Sequence, residues 1–514
     1  PRPNGTPSSC ARTTFAREWK SDMQFNLNPN RIEDYRLFLK IKELPTYQIR
    51  GRLATVPDEY AEQLGVDQQE PERFPYYPVG GLFDYQRDIA SLAIRRRKFC
   101  LFVECGLGKT LIMLEFARAA MADDDKRVLI VSPLMVIPQT IGESERFYGD
   151  YPIEQVSASR LGEWMQTPGP AIGITNYEAL RPEIDQGCVG ALILDESSML
   201  KSHYGKWGVK CLELGRGLEW KLAGTGTPAP NDRIEFANHA VFMDAFPTVN
   251  SFLATFFVNR GQTQNRWELK KHALAPFYRA LSHWSIFLSD PSVYGWKDNA
   301  EGVPPVHTTI HDVPMTAEQK EILQRETGNL FAVKAGGITK RSTLGQIGKG
   351  FYRGREIGTN KPEFIKRLIE SWPNESTLVW CIYNAEQKKI EQYLPDAGSI
   401  TGDTPIEERM RIVEEFKAGR LKTLISKPKI LGFGLNLQVA TRQVFSGCQD
   451  SYESFYQAVK RSNRYGSTRP LQVHIPVTDV EQPMVDNVMR KAHRVDQDTR
   501  EQEQLFKEQA TWTF

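Results

Sequence analysis

The chain has 514 residues, 40% hydrophobic and 25% charged, the composition of a globular protein able to bury sizeable cores and long enough for roughly three compact units. A single small module, a disordered tail and a collagen-like or low-complexity chain are excluded. With 65 Lys and Arg against 63 Asp and Glu the net charge is only +2, so any grip on a polyanion has to come from local patches. The seven cysteines are scattered without a CxxC pair and read as reduced, mostly buried thiols of a cytoplasmic protein. No apolar run approaches the roughly 18 residues that span a bilayer, so no membrane partner is expected.

Residues 1–80 are rich in Pro, Asn and charge and read as a small N-terminal accessory segment with one helix over 31–42. From Leu82 short apolar runs alternate with helix-period stretches: FCLFV, VLIVS, AIGIT, ALILD and KLAGT. Such runs are the pattern of parallel strands buried on both faces. A second series follows, TLVWCIY, KTLIS, RQVFSG and LQVHIPV, separated by helical segments such as 407–418 and 452–462. Repetition of one α/β grammar predicts two tandem lobes with parallel sheets and helical insertions between them. Lobe 1 is expected over 81–299, helical after about residue 232. Lobe 2 is expected over 300–480 with a basic helical insertion at about 316–360, and a helical tail over 481–514. Residues 334–367 carry nine Lys and Arg against Glu356 and Glu363, a patch strong enough to hold a polyanion.

The sharpest chemical signal is ECGLGKT at 104–110, directly after FCLFV and directly before the helical LIMLEFARAA. A phosphate chain needs backbone N–H groups that converge with no side chain in the way, and Gly106, Leu107 and Gly108 supply such a cradle. Lys109 then brings a point charge to the β- and γ-phosphates, and Thr110 a hydroxyl to Mg²⁺. Where the strict pattern has its first glycine this chain has Val103. The second signal is ALILDESSML, a buried strand ending in Asp195 and Glu196. Adjacent carboxylates at such a position call for a cation, and nucleotide-bound Mg²⁺ fits. Asp195 would hold the metal through its water shell and Glu196 would orient and deprotonate an attacking water.

Further motifs fall into order around these two: FDYQ ahead of the glycine loop, VSPLMVI and ITNYEAL between it and the acidic strand end, then AGTGTPAPND, GVPPVHTTIHDVPMTAEQ, LGFGLNLQ and QAVKRSNRYGS. The chain thereby resembles a superfamily-two helicase or translocase of the Swi/Snf-like branch, of the type found in bacteriophage and bacterial modification or defence loci, from about Leu82 to Val477. The resemblance implies two RecA-like P-loop lobes, with ATP and Mg²⁺ as cofactors. It puts Gln86 at the adenine, Gly434 and Gln457 on the nucleotide, and Thr225 and Thr227 in the coupling of nucleotide to lobe movement. Arg461 and Arg464 become arginine fingers, each able to contribute about 10³ to 10⁵ in rate; their spacing from Gln457 predicts one helical face for all three. Ser132, Thr175, Asn176, Tyr383, Ser426 and Lys427 are the implied DNA contacts.

The implied activity is a DNA-dependent ATPase that moves along duplex DNA with little sequence preference, with protein partners in a replication, recombination or restriction-modification complex. Departures from the family pattern are Ser198 in the acidic box, Ser467 at the end of the last motif and a longer stretch around Lys427, Pro428 and Lys429. An RNA helicase is disfavoured by DESS, the VPPV segment and the spelling of the last motif. A non-travelling ATP-switched clamp within a larger complex is disfavoured by Glu196 and the two arginines.

Overall fold

The structure is a computed structural model. It describes residues 22–44, 47–57, 60–65, 78–149, 152–201, 206–229, 233–261, 267–297, 303–327, 338–431, 435–447, 452–464, 466–510 and 512. The chain divides into two compact units, Pro1–Arg73 and Phe74–Phe514.

The first unit holds three antiparallel strands, β1 (Asp22–Asn26), β2 (Gln48–Arg50) and β3 (Leu53–Pro57), in the order β1-β3-β2. Its helix runs Ile32–Glu43, with Glu33 and Asp34 in the first turn and Lys40 and Lys42 in the last, charges that complement the helix dipole. Ile41, Ala54, Val56 and Tyr60 form its core. The accessory segment is therefore a small α+β unit; its strands are short and half-exposed, which hid them among the Pro and Asn residues.

The second unit contains two parallel sheets. Lobe 1 is built on β4 (Lys98–Val103), β5 (Arg127–Ser132), β6 (Ile153–Gln155), β7 (Ala171–Asn176), β8 (Val189–Asp195) and β9 (Trp220–Gly224). After a hairpin of β10 (Phe257–Asn259) and β11 (Trp267–Leu269), β12 (Ser285–Leu288) returns to close the sheet in the order β12-β4-β9-β8-β5-β7-β6. β5 and β8 are buried along their whole length, as strands covered by helices on both faces must be. β6, β12 and the hairpin β10–β11 were not expected: β6 has three residues, and the others lie in the aromatic stretch that reads as helical.

Lobe 2 consists of β13 (Val306–Asp312), the hairpin β14 (Phe351–Tyr352) and β15 (Arg355–Glu356), then β16 (Thr377–Trp380), β17 (Gly398–Ser399), β18 (Thr423–Ser426), β19 (Arg442–Phe445) and β20 (Leu471–Val477). Its parallel sheet has the order β13-β20-β19-β16-β18-β17. A 28-residue helix, Gln482–Gln509, follows β20. Val485 and Val488 near its start belong to the lobe 2 core, whereas Phe506 near its end is buried in the lobe 1 core against Phe287.

The described cations of the basic insertion fall into a buried pair and an exposed group. Lys349 and Lys361 are buried and reach Oε1 and Oε2 of buried Glu481 at 2.5 Å each. Arg353, Arg355, Lys366 and Arg367 each lie within 4.0 Å of a carboxylate, from Glu326, Glu318, Glu370 and Glu363. Lys334 lies outside the described residues, as do the side chains of Lys340 and Arg341. Buried Lys349 and Lys361 are thus paired by an acid distant in sequence, which counting along the chain misses, whereas Lys366 and Arg367 lie near acids one helical turn away.

Glu481 also accepts from the backbone N–H and hydroxyl of Thr478. Burial alone opposes its ionisation, but the two ammoniums overcome that and hold its carboxyl down at about 2. A depressed carboxyl stabilises the fold fully above its unfolded value near 4.3 and loses that contribution as pH falls toward 2. Glu481→Ala leaves two buried ammoniums unpaired and should lower stability by about 3 to 5 kcal/mol at pH 7; urea unfolding of the variant measures this, and its deficit against the parent should shrink at pH 3.

Candidate nucleotide site between two lobes

β4 delivers the chain to the loop 104–108, from which the helix Lys109–Asp124 departs. Gly106 and Gly108 have φ of 96° and 72°, a left-handed conformation that glycine adopts without steric cost. A Cβ at Gly108 would stand 2.0 Å from Gln86 Nε2, so only glycine fits. The helix begins without a side-chain cap and without an acid in its first turn. Its free N–H groups and positive dipole end therefore remain available to an anion.

Gln86 is buried against this loop, its Nε2 donating to Leu107 O at 3.2 Å and its Oε1 accepting from Phe83 N at 3.0 Å. Tyr85 Oη donates to the same carbonyl at 3.0 Å. Lys109 is folded back onto Val103 O at 2.8 Å, and Thr110 follows it, half-buried, in the first helical turn. Gly224 at the end of β9 lies against this lysine: a Cβ there would come within 3.9 Å of Lys109 Cδ and 3.4 Å of Met113 Sδ.

Asp195 ends β8 and is 5% exposed. Its Oδ2 accepts from Ser132 Oγ at 2.9 Å and its Oδ1 from Glu196 N at 3.0 Å, while Tyr177 Oη donates to its backbone carbonyl at 2.6 Å. Desolvation, helped by the neighbouring Glu196 charge and opposed by Ser132 and Lys109, raises its carboxyl to about 6. Glu196 has φ of +50°, a strained conformation costing about 1 to 3 kcal/mol that surrounding contacts must over-determine. Tyr177 fixes the peptide on one side; on the other, Ser197 Oγ and His239 Nε2 are 3.0 Å apart. Thr225 is buried with its N–H on Leu101 O, and its hydroxyl accepts from Thr227 N at 3.1 Å, so both coupling candidates stiffen the turn after β9.

Lobe 2 brings its cations to the same place by a route that differs from the expected one. The helix Tyr452–Val459 ends before Arg461, so Gln457, Arg461 and Arg464 do not share a helical face. Arg461 instead turns back, Nε donating to Gln457 O at 3.1 Å, and Leu437 N donates to its carbonyl at 2.9 Å. It is 3% exposed, and its Nη2 is buried with no hydrogen-bond acceptor among the described residues. Arg464 lies within electrostatic reach of Cys105 in the glycine loop and of Glu143 on the helix Ile137–Phe147. Gly434 lies outside the described residues.

The seam has a direct polar contact that the motif reading missed. Glu104, the first loop residue, accepts from Tyr456 Oη and forms an ion pair with Lys460 Nζ at 2.8 Å. Met135, just after β5, packs into the lobe 2 core. Tyr177 and His239 were also missed: the first sits inside the quoted ITNYEAL, but nothing local marks His239.

Among the expected DNA contacts, the hydroxyls of Ser132, Thr175 and Ser426 are buried and bonded to Asp195, Val156 O and Ile400 O. Asn176 caps the turn 177–179 through Ala179 N, and Lys427 bonds Asn384. Tyr383 is half-buried ahead of the helix Asn384–Tyr393.

A glycine cradle on one parallel sheet, faced by arginines carried on a second, defines a two-lobed P-loop protein of the helicase type. The SNF2-related domain matches residues 85–361 and the helicase conserved C-terminal domain residues 360–466; with more than half its length matched by the first, the chain belongs to the SNF2-related family. It is similar to the ATP-dependent helicase fft1 of Schizosaccharomyces pombe, 28% identical over 131 residues that cover 24% of this chain and 14% of that protein. Among solved structures it is similar to the Sulfolobus solfataricus SWI2/SNF2 ATPase core in complex with dsDNA, with 20% identity, TM-score 0.39, and coverage of 79% of this chain and 90% of that one. The Pyrococcus furiosus Hef helicase domain gives 14% identity, TM-score 0.44, and coverage of 77% and 95%. No helix among the described residues is long and apolar enough to cross a membrane.

A carboxyl raised from 3.8 to about 6 binds its proton more tightly folded than unfolded, so it subtracts stability as pH rises through that window. In EDTA, Asp195→Asn should therefore gain up to about 3 kcal/mol over the parent at pH 8 and nearly nothing at pH 4. Denaturant melts at the two pH values check this; an equal difference at both would remove the electrostatic account of Asp195.

Proposed function

We propose that the chain is an ATP-hydrolysing motor that moves along duplex DNA without strong sequence preference. The observation that carries this reading is Arg461 Nη2, a buried cationic donor with no acceptor among the described residues, on the lobe opposite the glycine cradle. A γ-phosphate supplies the missing acceptor.

Triphosphate enters the loop 104–110, where backbone N–H groups and the helix dipole receive its oxygens. Lys109 leaves Val103 O for the stronger acceptor of the β- and γ-phosphates. Glu196, held in its strained conformation, accepts a proton from the attacking water. Arg461 and Arg464 neutralise charge on the transferred phosphoryl group, and Gln457 aligns the segment through its carbonyl contact with Arg461. The buried, incompletely compensated carboxylate of Asp195 and the hydroxyl of Thr110 are a donor set suited to Mg²⁺. When bound, that ion supplies neutralising charge along the phosphate chain. Loss of the γ-phosphate weakens the attraction across the seam, and the lobes shift relative to each other.

The DNA track is supported by membership of the SNF2-related family and by Asn176, Tyr383 and Lys427, which sit at or just beyond the C-terminal ends of β7, β16 and β18. Loops at these strand ends are where ligands of open parallel sheets bind. Contact with the backbone rather than with bases would leave sequence preference weak. Protein partners in replication, recombination or restriction-modification belong to the same proposal.

The test is ATP turnover with no nucleic acid, with duplex DNA and with RNA. Duplex DNA should stimulate the parent strongly, whereas Glu196→Gln should lose about 10² to 10⁴ in kcat and Lys109→Ala should be nearly inactive. Stimulation by RNA alone would favour an RNA helicase. DNA binding with ATP turnover but no triplex displacement would favour a clamp.

A further inference from the structure

We propose that Glu104 is a positioning residue that registers lobe 2 on the phosphate loop, through Tyr456 and Lys460, and so sets where Arg461 and Arg464 meet the nucleotide. The inference rests on the ATPase reading above and adds a residue set to it.

Glu104 is anchored at both ends of its peptide. Its N–H donates to Leu288 O of β12 at 2.8 Å and its carbonyl accepts from Leu107 N at 3.4 Å. The carboxylate therefore projects from a fixed point at the root of the glycine cradle. It meets Tyr456 Oη and Lys460 Nζ, the latter at 2.8 Å with both side chains about three-quarters buried. Tyr456 and Lys460 are one helical turn apart, with Lys460 N donating to Tyr456 O at 2.9 Å. Both partners of the carboxylate thus project from one face at the end of one helix.

Arg461 is the next residue. The chain turns there, with Arg461 N donating to Ala458 O at 3.2 Å and Asn463 N to Val459 O at 3.1 Å. Within that turn the positions of Arg461 and Arg464 are fixed relative to Lys460. Across the seam, Cys105, the residue after Glu104, is the loop group within electrostatic reach of Arg464. One carboxylate therefore pins the turn that carries both arginines, and the pin sits beside the place those arginines must reach.

The arrangement also solves an electrostatic difficulty. Lys460, Arg461 and Arg464 bring three cations together, and burial together with Arg461 lowers the pKa of Arg464. Without an anion from lobe 1 these charges would push the turn out of the seam before triphosphate arrives. Glu104 supplies one such anion while leaving Arg461 Nη2 unused.

Two measurements test this on the full chain. A zero-length carbodiimide joins a carboxylate to an amine already in ion-pair contact, with one water passing to the reagent as a urea. Applied without nucleotide, it should give a peptide crosslinked between 104 and 460 by mass spectrometry, absent in Lys460→Gln. In kinetics, Glu104→Gln and Lys460→Gln should each lower kcat roughly tenfold while affinity for a fluorescent ADP analogue and the melting temperature stay near the parent's. The double variant should be no worse than either single, and the exchange Glu104→Lys with Lys460→Glu should recover part of the rate. Additive losses, weakened ADP binding with unchanged kcat, or a missing crosslink would overturn the positioning role. A parent with no ATP turnover removes the motor reading and the kinetic role together, but a crosslink in that same protein would still establish the contact.

Discussion

The structure depends on a cation that its own lobe satisfies only in part. Arg461 is buried in the turn after Tyr452–Val459, with Nε satisfied by Gln457 O and Nη2 without an acceptor among the described residues. Leaving a charged donor buried and unpaired is among the costlier things a fold can do. On the proposed reading the missing acceptor arrives with a phosphate chain bound in the glycine loop of the other lobe. Lobe 1 then receives that chain and lobe 2 completes its coordination, which links occupancy to lobe position.

The same logic of incomplete satisfaction runs through lobe 1. Asp195 has a raised pKa although it accepts two hydrogen bonds, because desolvation and the neighbouring Glu196 charge outweigh Ser132, Lys109 and the Glu196 N–H. Lys109 is held on a neutral carbonyl instead of an anion. Glu196 is strained between Tyr177 and the Ser197–His239 contact. Each of these groups sits in a second-best arrangement that a phosphate chain with its metal would improve. Preorganised electrostatics of this kind cost little reorganisation when the ligand arrives.

Much of this was legible in the sequence where signals are local. The five strands of lobe 1 with continuous apolar runs, the glycine loop and the acidic strand end all announce themselves, since buried parallel strands and phosphate loops constrain consecutive residues. Other strands did not: β6 and β17 have too few residues for a period to show, β12 lies in the aromatic stretch that reads as helical, and β13 has no continuous apolar run. Relations between distant segments were the other blind spot. The basic stretch around Lys349 and Lys361 looked like a nucleic-acid surface because Glu481 lies more than a hundred residues away. Ser132, Thr175 and Ser426 sit where the family's motifs touch DNA, but nothing in their spelling reveals that their hydroxyls are bonded inward. The arginine geometry was misread for a related reason: spacings of four and three suit a helix, and a turn closed by Ala458 and Val459 carbonyls gives the same spacing a different direction.

The C-terminal helix restricts which lobe movements are open to such a site. Glu481, immediately before it, is locked between Lys349 and Lys361 of lobe 2, and Val485 and Val488 continue into that core. At the far end, Glu503 accepts from the N–H groups of Ser289 and Asp290, just past β12, and Trp512 Nε1 donates to Ser282 O. One 28-residue helix is thus rooted in both lobes, with its lobe 1 end on the strand that borders β4 and the glycine loop. Because side chains at its two ends are seated in separate cores, any movement of one lobe against the other has to flex this helix or unseat one end. The helix and the contact of Glu104 with Tyr456 and Lys460 are thus two separate links between the lobes, and a displacement of the turn 460–464 relative to the cradle has to be accommodated by both.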